Sequence, residues 1–156
     1  MRKAIFPGSF DPPTLGHIDI LERGAALFDG VVVGVLQNPQ KKPTLARDVR
    51  VEIFQKIVAS RGLENVEVRS FDGLAVHFAE SVGAGWILRG LRSSRDRDFE
   101  APMALMNRSF GGQSTETVFL PARPELTHIR GQLVREILAG GGDVSGFVPS
   151  EVLGRL

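Results

Sequence analysis

The chain of 156 residues contains no cysteine, and its 19 lysine and arginine residues nearly balance its 18 aspartate and glutamate residues. Without cysteine there can be no disulfide framework, no thiolate metal site and no cysteine nucleophile. A net charge of +1 provides no broad electrostatic surface for nucleic acid or an acidic membrane. Any anionic ligand must therefore be bound by a local site, and neither nucleic acid nor a membrane is expected as a partner.

Long apolar runs and low-complexity tracts are also missing. No apolar run approaches the roughly 20 residues of a membrane span, and the N-terminus leads directly into a predicted strand rather than a signal peptide. Together with the missing cysteines, these features indicate a cytoplasmic globular protein. The length suits one domain that spans residues 1–156.

Two common nucleotide motifs are absent, but a third candidate is present. Neither a Walker lysine motif nor an intact G-x-G-x-x-G occurs, so neither a P-loop NTPase nor a dinucleotide dehydrogenase is supported. Residues 8–17 read G-S-F-D-P-P-T-L-G-H and lead into a helical pattern that starts near Thr14. The first turn of such a helix has unpaired N–H groups and the positive end of the dipole. Gly8 and Gly16 permit a tight turn, and His17 adds ring nitrogens. This junction predicts a phosphate site.

Short runs rich in β-branched residues alternate with segments of helical spacing. This alternation predicts an α/β fold: an open, doubly wound (Rossmann-like) parallel sheet of five strands with helices on both faces. The predicted strands are 4–6, 31–36, 66–69, 86–88 and 117–120, and the predicted helices are 14–28, 46–60, 74–82, 99–109, 129–139 and a short one from residue 150.

In such a sheet, ligands bind beyond the carboxyl ends of the strands. The candidates that this rule brings to one crevice are Ser9, His17, Lys41, Lys42, Arg89, Arg92 and residues 125–132. Cationic groups dominate this set, and no comparable acidic cluster joins them. The sequence therefore predicts a substrate with several phosphates.

The chain resembles the phosphopantetheine adenylyltransferases, bacterial members of the nucleotidyltransferases with a Thr/His-x-Gly-His motif, almost from end to end. The matching segments are 8–12 and 14–17, N-P-Q-K-K-P at 38–43, L-R-G-L-R at 88–92, M-A-L-M-N-R at 103–108, G-D-V-S at 142–145 and F-V-P at 147–149. The first motif is shared by the whole superfamily. Segment 88–92, followed by segment 103–108, is typical of this family.

The resemblance implies transfer of the AMP part of ATP to 4′-phosphopantetheine, which gives dephospho-coenzyme A and pyrophosphate. It implies magnesium that is delivered with ATP, and no metal ligands are assigned to the protein. It also implies a homohexamer and feedback inhibition by coenzyme A (CoA).

The resemblance assigns roles to individual residues. The expected catalytic residues are Ser9, His17, Lys41 and Arg92. The expected contacts of 4′-phosphopantetheine are Ser9, Lys41, Arg89 and the backbone at Leu74 and Ala75. The expected contacts of ATP are Ser9, Phe10, His17, Gly90, Leu91, Arg92, Glu100, Thr127, Ile129, Arg130 and Gln132. His17 would donate to the α- and β-phosphates, while Lys41 and Arg89 would hold the attacking phosphate.

The last nucleotide loop departs from the family pattern. The family has an aromatic residue, then isoleucine and three small hydroxyl residues, whereas residues 126–132 read L-T-H-I-R-G-Q. One hypothesis is that Arg130 replaces the hydroxyl donors with a bidentate contact to the β- and γ-phosphates. The alternatives are a nucleotidyltransferase that acts on a nicotinamide or glycerol phosphate, and a noncatalytic relative that binds nucleotide or CoA.

Two carboxylates allow more than one interpretation. Read without gaps, Glu100 falls on the family's nucleotide-contacting acid, but a shifted register of residues 96–100 and a carboxylate that favours a helix start are both open. Asp11 is expected to be a turn residue that bonds its own backbone rather than a magnesium ligand.

Overall fold

Strands and helices alternate along the chain in the computed structural model, which describes residues 1–37, 42–110 and 115–156. The strands are β1 (Lys3–Gly8), β2 (Gly30–Leu36), β3 (Val66–Phe71), β4 (Trp86–Leu91) and β5 (Glu116–Pro121). The helices are α1 (Leu15–Leu27), α2 (Arg47–Ser60), α3 (Ala75–Ser81), α4 (Ser94–Phe110), α5 (Gly131–Ala139) and α6 (Ser150–Leu153), with a 3₁₀ turn at Pro124–Leu126. No helix in the described ranges has the length and apolar character needed to cross a membrane.

The five strands are all parallel and lie in the order β3-β2-β1-β4-β5. This confirms the predicted doubly wound sheet. The chain reverses its direction of winding at β1, so a crevice opens between the loops that follow β1 and β4. The ladder between these two strands joins only Ala4 to Trp86 and Ile5 to Ile87. Beyond Ile5 the strands no longer pair, which leaves space at their carboxyl ends.

Helices cover both faces of the sheet because strand side chains alternate between two apolar clusters. Phe6 and Val33 belong to the larger cluster, which α1, α2, α5 and α6 complete, whereas Ile5 and Val32 belong to the smaller one, beside α3. Each face of the central strands is therefore buried, as the continuous apolar runs of the sequence require.

Helix α4 differs from the sequence prediction. It begins at Ser94, whereas the predicted helix begins at residue 99, and it contains Pro102. The extra first turn is polar and has no apolar periodicity, so pattern reading missed it. Its start is stabilised by Asp96, whose N–H donates to the Ser93 hydroxyl at 3.4 Å and whose carboxylate accepts from Arg92 N at 2.9 Å. No residue of α4 is buried.

Replacing Gly34 by alanine is expected to destabilise the protein by about 1–3 kcal/mol, because the core has no room for a methyl group there. A Cβ on Gly34 would lie 2.5 Å from Cε1 of Phe78 and 3.0 Å from Cε1 of Phe71. These two rings are stacked, with centroids 4.4 Å apart. Urea denaturation measures the loss.

Gly30, in the same strand, is the matched control. A Cβ there would meet nothing closer than Lys3 Cγ at 3.7 Å. Gly30→Ala should therefore change the free energy of unfolding by less than about 0.5 kcal/mol. Equal losses at the two glycines would contradict the packing argument.

Candidate active site

Two cavities meet at the carboxyl ends of β1 and β4. The main cleft, about 500 Å³ in volume, is bounded by the loop after β1 and by the starts of α1, α4 and α5. The side pocket, about 240 Å³, lies between the loop after β3 and α4. The residues that line both cavities are Pro7, Gly8, Arg89, Phe99 and Glu100. The cavities therefore share one wall, where two bound molecules could meet.

His17 stands in the first turn of α1 and takes part in the cap of that helix. The backbone N–H of Thr14 donates to Nδ1 of His17 at 3.0 Å, and the N–H of His17 donates to Oγ1 of Thr14 at 3.4 Å. A backbone N–H can only donate, so Nδ1 carries the lone pair and the ring proton resides on Nε2. The cap thus makes Nε2–H the donor of the neutral ring.

The charge state of His17 agrees with this tautomer. Burial, together with the positive charges of Arg92 and Arg89, lowers the pKa of His17 from 6.5 to about 3. The ring packs edge-on against Phe10, with centroids 5.0 Å apart and planes at 86°. At neutral pH the imidazole is therefore an uncharged hydrogen-bond donor with a fixed orientation.

Arg89 lies on the wall that the two cavities share. Its Nε donates to Oε2 of Glu100 at 2.9 Å, its Nη2 donates to Oε1 of Glu100, and its Nη1 donates to the carbonyl of Pro7 at 2.9 Å. A guanidinium has five N–H groups, so two remain available after these three bonds. Arg89 can therefore hold an anion where the main cleft and the side pocket meet.

Arg92 connects the end of β4 to the loop before α5. Its backbone N and its Nε donate to Oδ2 of Asp96 at 2.9 and 3.0 Å, and its Nη1 donates to the carbonyl of Ile129 at 3.4 Å. Burial opposes ionisation of Asp96, but hydrogen bonds and charge from Arg92 lower the pKa of its carboxyl overall. Asp96 is thus a charged partner that fixes Arg92 beside the main cleft.

The start of α5 presents positive charge and backbone donors to the main cleft. Its N-cap residue Arg130 is exposed and makes no capping bond with its side chain. The first backbone bond of the helix joins Val134 N to Arg130 O at 3.0 Å, so the N–H groups of residues 131–133 have no partner within the helix. Arg135 ties the helix to the loop after β1 by donating from Nη1 to the carbonyl of Asp11 at 2.6 Å.

Most of the residues expected from the sequence line one of the two cavities. Those in the main cleft are Ser9, Phe10, His17, Arg89, Gly90, Arg92, Glu100, Ile129, Arg130 and Gln132. Those in the side pocket are Leu74, Ala75, Arg89 and Glu100. The ring of Phe10 is 3% exposed and packs against Phe6 and Phe54, so this residue can offer a ligand little beyond its backbone.

Four expected residues stand apart from this arrangement. Leu91 and Thr127 line neither cavity; the carbonyl of Leu91 accepts from Ala122 N at 2.7 Å, and the hydroxyl of Thr127 donates to Pro124 O at 2.9 Å. Lys41 lies outside the described residues. Its neighbour Lys42, which was expected in the crevice, is exposed and lines neither cavity.

The prediction for Asp11 was wrong, and Arg50 was not predicted at all. The Asp11 carboxylate accepts from the N–H groups of Thr44 and Leu45, both at 2.8 Å, instead of from its own turn. Arg50 of α2 is 1% exposed. An arginine within a helix is ordinarily at the surface, so the local sequence carried no signal for this burial.

Known proteins resemble this chain in sequence. A sequence profile described as cytidylyltransferase-like matches residues 5–137. A phosphopantetheine adenylyltransferase from Caldanaerobacter subterraneus subsp. tengcongensis is 46% identical over 156 residues, which is 100% of this chain and 96% of that protein. One from Clostridium beijerinckii is 44% identical over 153 residues, or 98% of this chain and 94% of that protein.

The fold is shared more widely than the sequence. The solved structure of Plasmodium falciparum nicotinic acid mononucleotide adenylyltransferase complexed with NaAD has a TM-score of 0.68 at 13% identity, and the match covers 99% of this chain and 95% of that one. At so low an identity the likeness concerns the fold alone. The matches at 44% and 46% identity cover nearly the whole of each protein, and on that ground the chain belongs to the phosphopantetheine adenylyltransferase family.

Proposed function

We propose that the protein transfers AMP from ATP to 4′-phosphopantetheine, giving dephospho-CoA and pyrophosphate. The observation that carries this proposal is the place of Arg89 on the wall between a cationic cleft and a mainly apolar pocket. The cleft suits a nucleoside triphosphate, and the pocket suits a pantetheine arm. Arg89 lies where the α-phosphate of ATP and the phosphate of 4′-phosphopantetheine must meet. Membership of the family supports the same reaction.

The chemistry asks the protein for positioning and for neutralisation of charge. A phosphate oxygen of 4′-phosphopantetheine attacks the α-phosphorus, the bond from that phosphorus to the bridging oxygen breaks, and pyrophosphate leaves. The Nε2–H of His17 donates to the phosphate oxygens as their charge grows. The two free N–H groups of Arg89, with Lys41 by resemblance, hold the attacking phosphate. Arg92 and the start of α5 hold the phosphates of the nucleotide.

Magnesium is proposed to arrive with ATP. In the described ranges no group of three or more His, Asp or Glu residues is placed to hold a metal ion. The carboxylates nearest the cleft already accept bonds from the protein: Asp11 from Thr44 and Leu45, Asp96 from Arg92, and Glu100 from Arg89. Magnesium commonly keeps water and substrate phosphates as ligands, and it would lower the negative charge of ATP when bound.

The proposal includes a cytoplasmic homohexamer that CoA inhibits by feedback. Helix α4 supports contact between copies, because it has no buried residue and exposes Phe99, Leu105 and Phe110 by 67%, 67% and 63%. CoA contains the product's adenylyl and pantetheine parts and would occupy the same two cavities. Light scattering should give the mass of six chains, and the mass of a single chain would contradict this assembly.

The test of the reaction is pyrophosphate release from MgATP, with the product identified by mass. Release should require 4′-phosphopantetheine and should yield dephospho-CoA. Glycerol phosphate and nicotinamide mononucleotide are the control acceptors. Release with one of these alone would overturn the assignment, and ATP or CoA binding without any release would support the noncatalytic alternative.

Replacing Arg130 by alanine is expected to raise the KM for ATP about tenfold, which corresponds to the loss of one charge-assisted hydrogen bond. The reason is that the guanidinium at the start of α5 takes the place of the hydroxyl donors that the family usually has there. The KM for 4′-phosphopantetheine should stay within about twofold. Steady-state kinetics with each substrate varied in turn gives both constants.

Arg97→Ala is the matched control, because Arg97 is exposed on α4 and lines neither cavity. It loses the same side chain and should leave the KM for ATP unchanged. An unchanged KM in Arg130→Ala as well would exclude Arg130 as a phosphate ligand.

A further inference from the structure

We infer that Asp11 and Arg50 are positioning residues for adenylyl transfer, and that they act together on the acceptor side of the site. We call this pair the loop clamp. It joins the loop after β1, which contains Ser9 and Asp11, to the two ends of the segment between β2 and α2. This inference rests on the proposed function and adds to it a pair of residues that act without touching substrate.

The first half of the loop clamp is the Asp11 carboxylate. Oδ2 accepts from Thr44 N at 2.8 Å, and Oδ1 accepts from Leu45 N at 2.8 Å. Two oxygens of one side chain thus hold two successive amides that lie 33 and 34 positions further along the chain. The residues just before α2 are fixed to the loop after β1 by this side chain.

The second half is the guanidinium of Arg50, which reaches the same loop from α2. Its Nη1 donates to the carbonyl of Ser9 and, at 3.0 Å, to the carbonyl of Leu36 at the end of β2. Its Nε donates to Leu45 O at 3.0 Å, and its Nη2 donates to Oε1 of Gln37 at 2.7 Å. One side chain therefore bonds three separate stretches of backbone.

The burial of Arg50 indicates that this connection is specific. The side chain is 1% exposed, and no ion pair joins it to a carboxylate in the described ranges. Removing a charge from water is costly unless its hydrogen bonds are replaced. Here the carbonyl oxygens of the loops replace them, so the loops and Arg50 stabilise one another.

The loop clamp lies next to the expected acceptor contacts. Ser9, whose carbonyl Arg50 holds, lines the main cleft. Along the chain, residues 38–41 fall between Gln37, which Arg50 holds, and Thr44, which Asp11 holds. The resemblance assigns an acceptor contact to Lys41 in that interval. On the nucleotide side, Arg135 of α5 donates to the backbone carbonyl of Asp11 at 2.6 Å. Neither Arg135 nor Arg92 bonds the Asp11 carboxylate or the Arg50 guanidinium, so substitution of these two side chains leaves the nucleotide-side contacts in place.

If Asp11 acted only through its charge, Asp11→Asn would change the KM values in the opposite direction from that expected for a positioning residue. Asp11 lines the main cleft, and the negative charge of its carboxylate would repel both anionic substrates. If charge were its whole influence, Asp11→Asn would lower the KM for ATP and for 4′-phosphopantetheine. A positioning role predicts instead a higher KM for the acceptor, since asparagine keeps one acceptor oxygen and turns an NH₂ group toward a backbone N–H.

The experiment compares Asp11→Asn, Arg50→Lys and the double variant by steady-state kinetics. Lysine keeps the charge of Arg50 but cannot reproduce its fork of donors. Each single variant should raise the KM for 4′-phosphopantetheine about tenfold and lower kcat, with the KM for ATP changed less than about twofold. The double variant should be no worse than the more impaired single variant, because both side chains hold the same loops.

Glu64→Gln, which neutralises an exposed carboxylate outside both cavities, is the control and should match the wild type. Hydrogen exchange at the amides of Thr44 and Leu45 should quicken in Asp11→Asn while the sheet amides keep their protection. A lower KM for both substrates, a higher KM for ATP alone, or additive effects in the double variant would each overturn the inference.

The proposed function can fail separately from the loop clamp. If the wild-type protein releases no pyrophosphate, the proposed function is wrong, and calorimetry with 4′-phosphopantetheine alone then replaces the kinetic assay. The loop clamp predicts weaker acceptor binding in Asp11→Asn together with the faster amide exchange. Faster exchange with an unchanged Kd would show that the contact is only structural and would overturn the inference.

Discussion

Replacing His17 by alanine is expected to lower kcat for pyrophosphate release by about 100- to 1000-fold, the usual cost of removing one donor that stabilises a developing oxyanion. Substrate binding should change far less, because the bond to Nε2–H strengthens only as charge builds on the phosphates. A single-turnover assay at saturating MgATP and 4′-phosphopantetheine measures this step. Retention of more than half of the wild-type kcat would exclude this role for His17.

His17→Gln keeps the cap but loosens the donor. Glutamine at this helix position can accept from the N–H of Thr14 through its amide oxygen, but its flexible side chain does not hold an N–H where the rigid ring holds Nε2–H. We expect a kcat between those of the wild type and of His17→Ala, because the donor is retained while its orientation is lost.

The pH dependence tests the same role of His17. With a pKa of about 3, the ring stays neutral in the folded protein from pH 5 to 9, so kcat should show no step from His17 in this range. The unfolded chain binds a proton near pH 6.5 that the folded chain does not bind. His17 therefore contributes stability above pH 6.5 that is lost as the pH falls toward 3. A kcat step near pH 6.5 that disappears in His17→Gln would contradict the lowered pKa.

Replacing Phe54 by alanine is expected to cost about 3–5 kcal/mol of unfolding free energy, the largest stability loss we predict. Phe54 is fully buried, and its ring centroid lies 4.7 Å from that of Phe10, which in turn packs against His17. The cavity would open beneath the loop after β1. Thermal unfolding should show a midpoint lower by about 10 °C.

Two further variants calibrate this loss. Phe54→Leu fills most of the space and should cost less than the alanine variant. Leu156→Ala, at a position that is 44% exposed, should stay within about 0.5 kcal/mol of the wild type. If Phe54→Ala lost less than Phe54→Leu, the packing of Phe54 against Phe10 would not be the source of the stability.

The fold could be predicted because its main signals are local and apolar. Alternation of strand and helix patterns indicated the parallel sheet, and the strand-end rule located the crevice before any distance was known. Helix α4 was predicted too short because its first turn is polar. The hydrogen-bond partners of Asp11 could not be predicted from the sequence. They are backbone amides 33 and 34 positions away, and the sequence does not distinguish one backbone amide from another. The tautomer of His17 likewise depends on a backbone N–H, which every residue but proline has.

The wall between the two cavities has a consequence for ligand design. Because Arg89 and Glu100 belong to both cavities, a molecule that links a nucleoside to a pantetheine-like chain could occupy both without displacing protein. Once one half is bound, the other is presented at a high effective concentration, and the loss of translational freedom is incurred only once. Such a bisubstrate compound should therefore bind more tightly than either fragment.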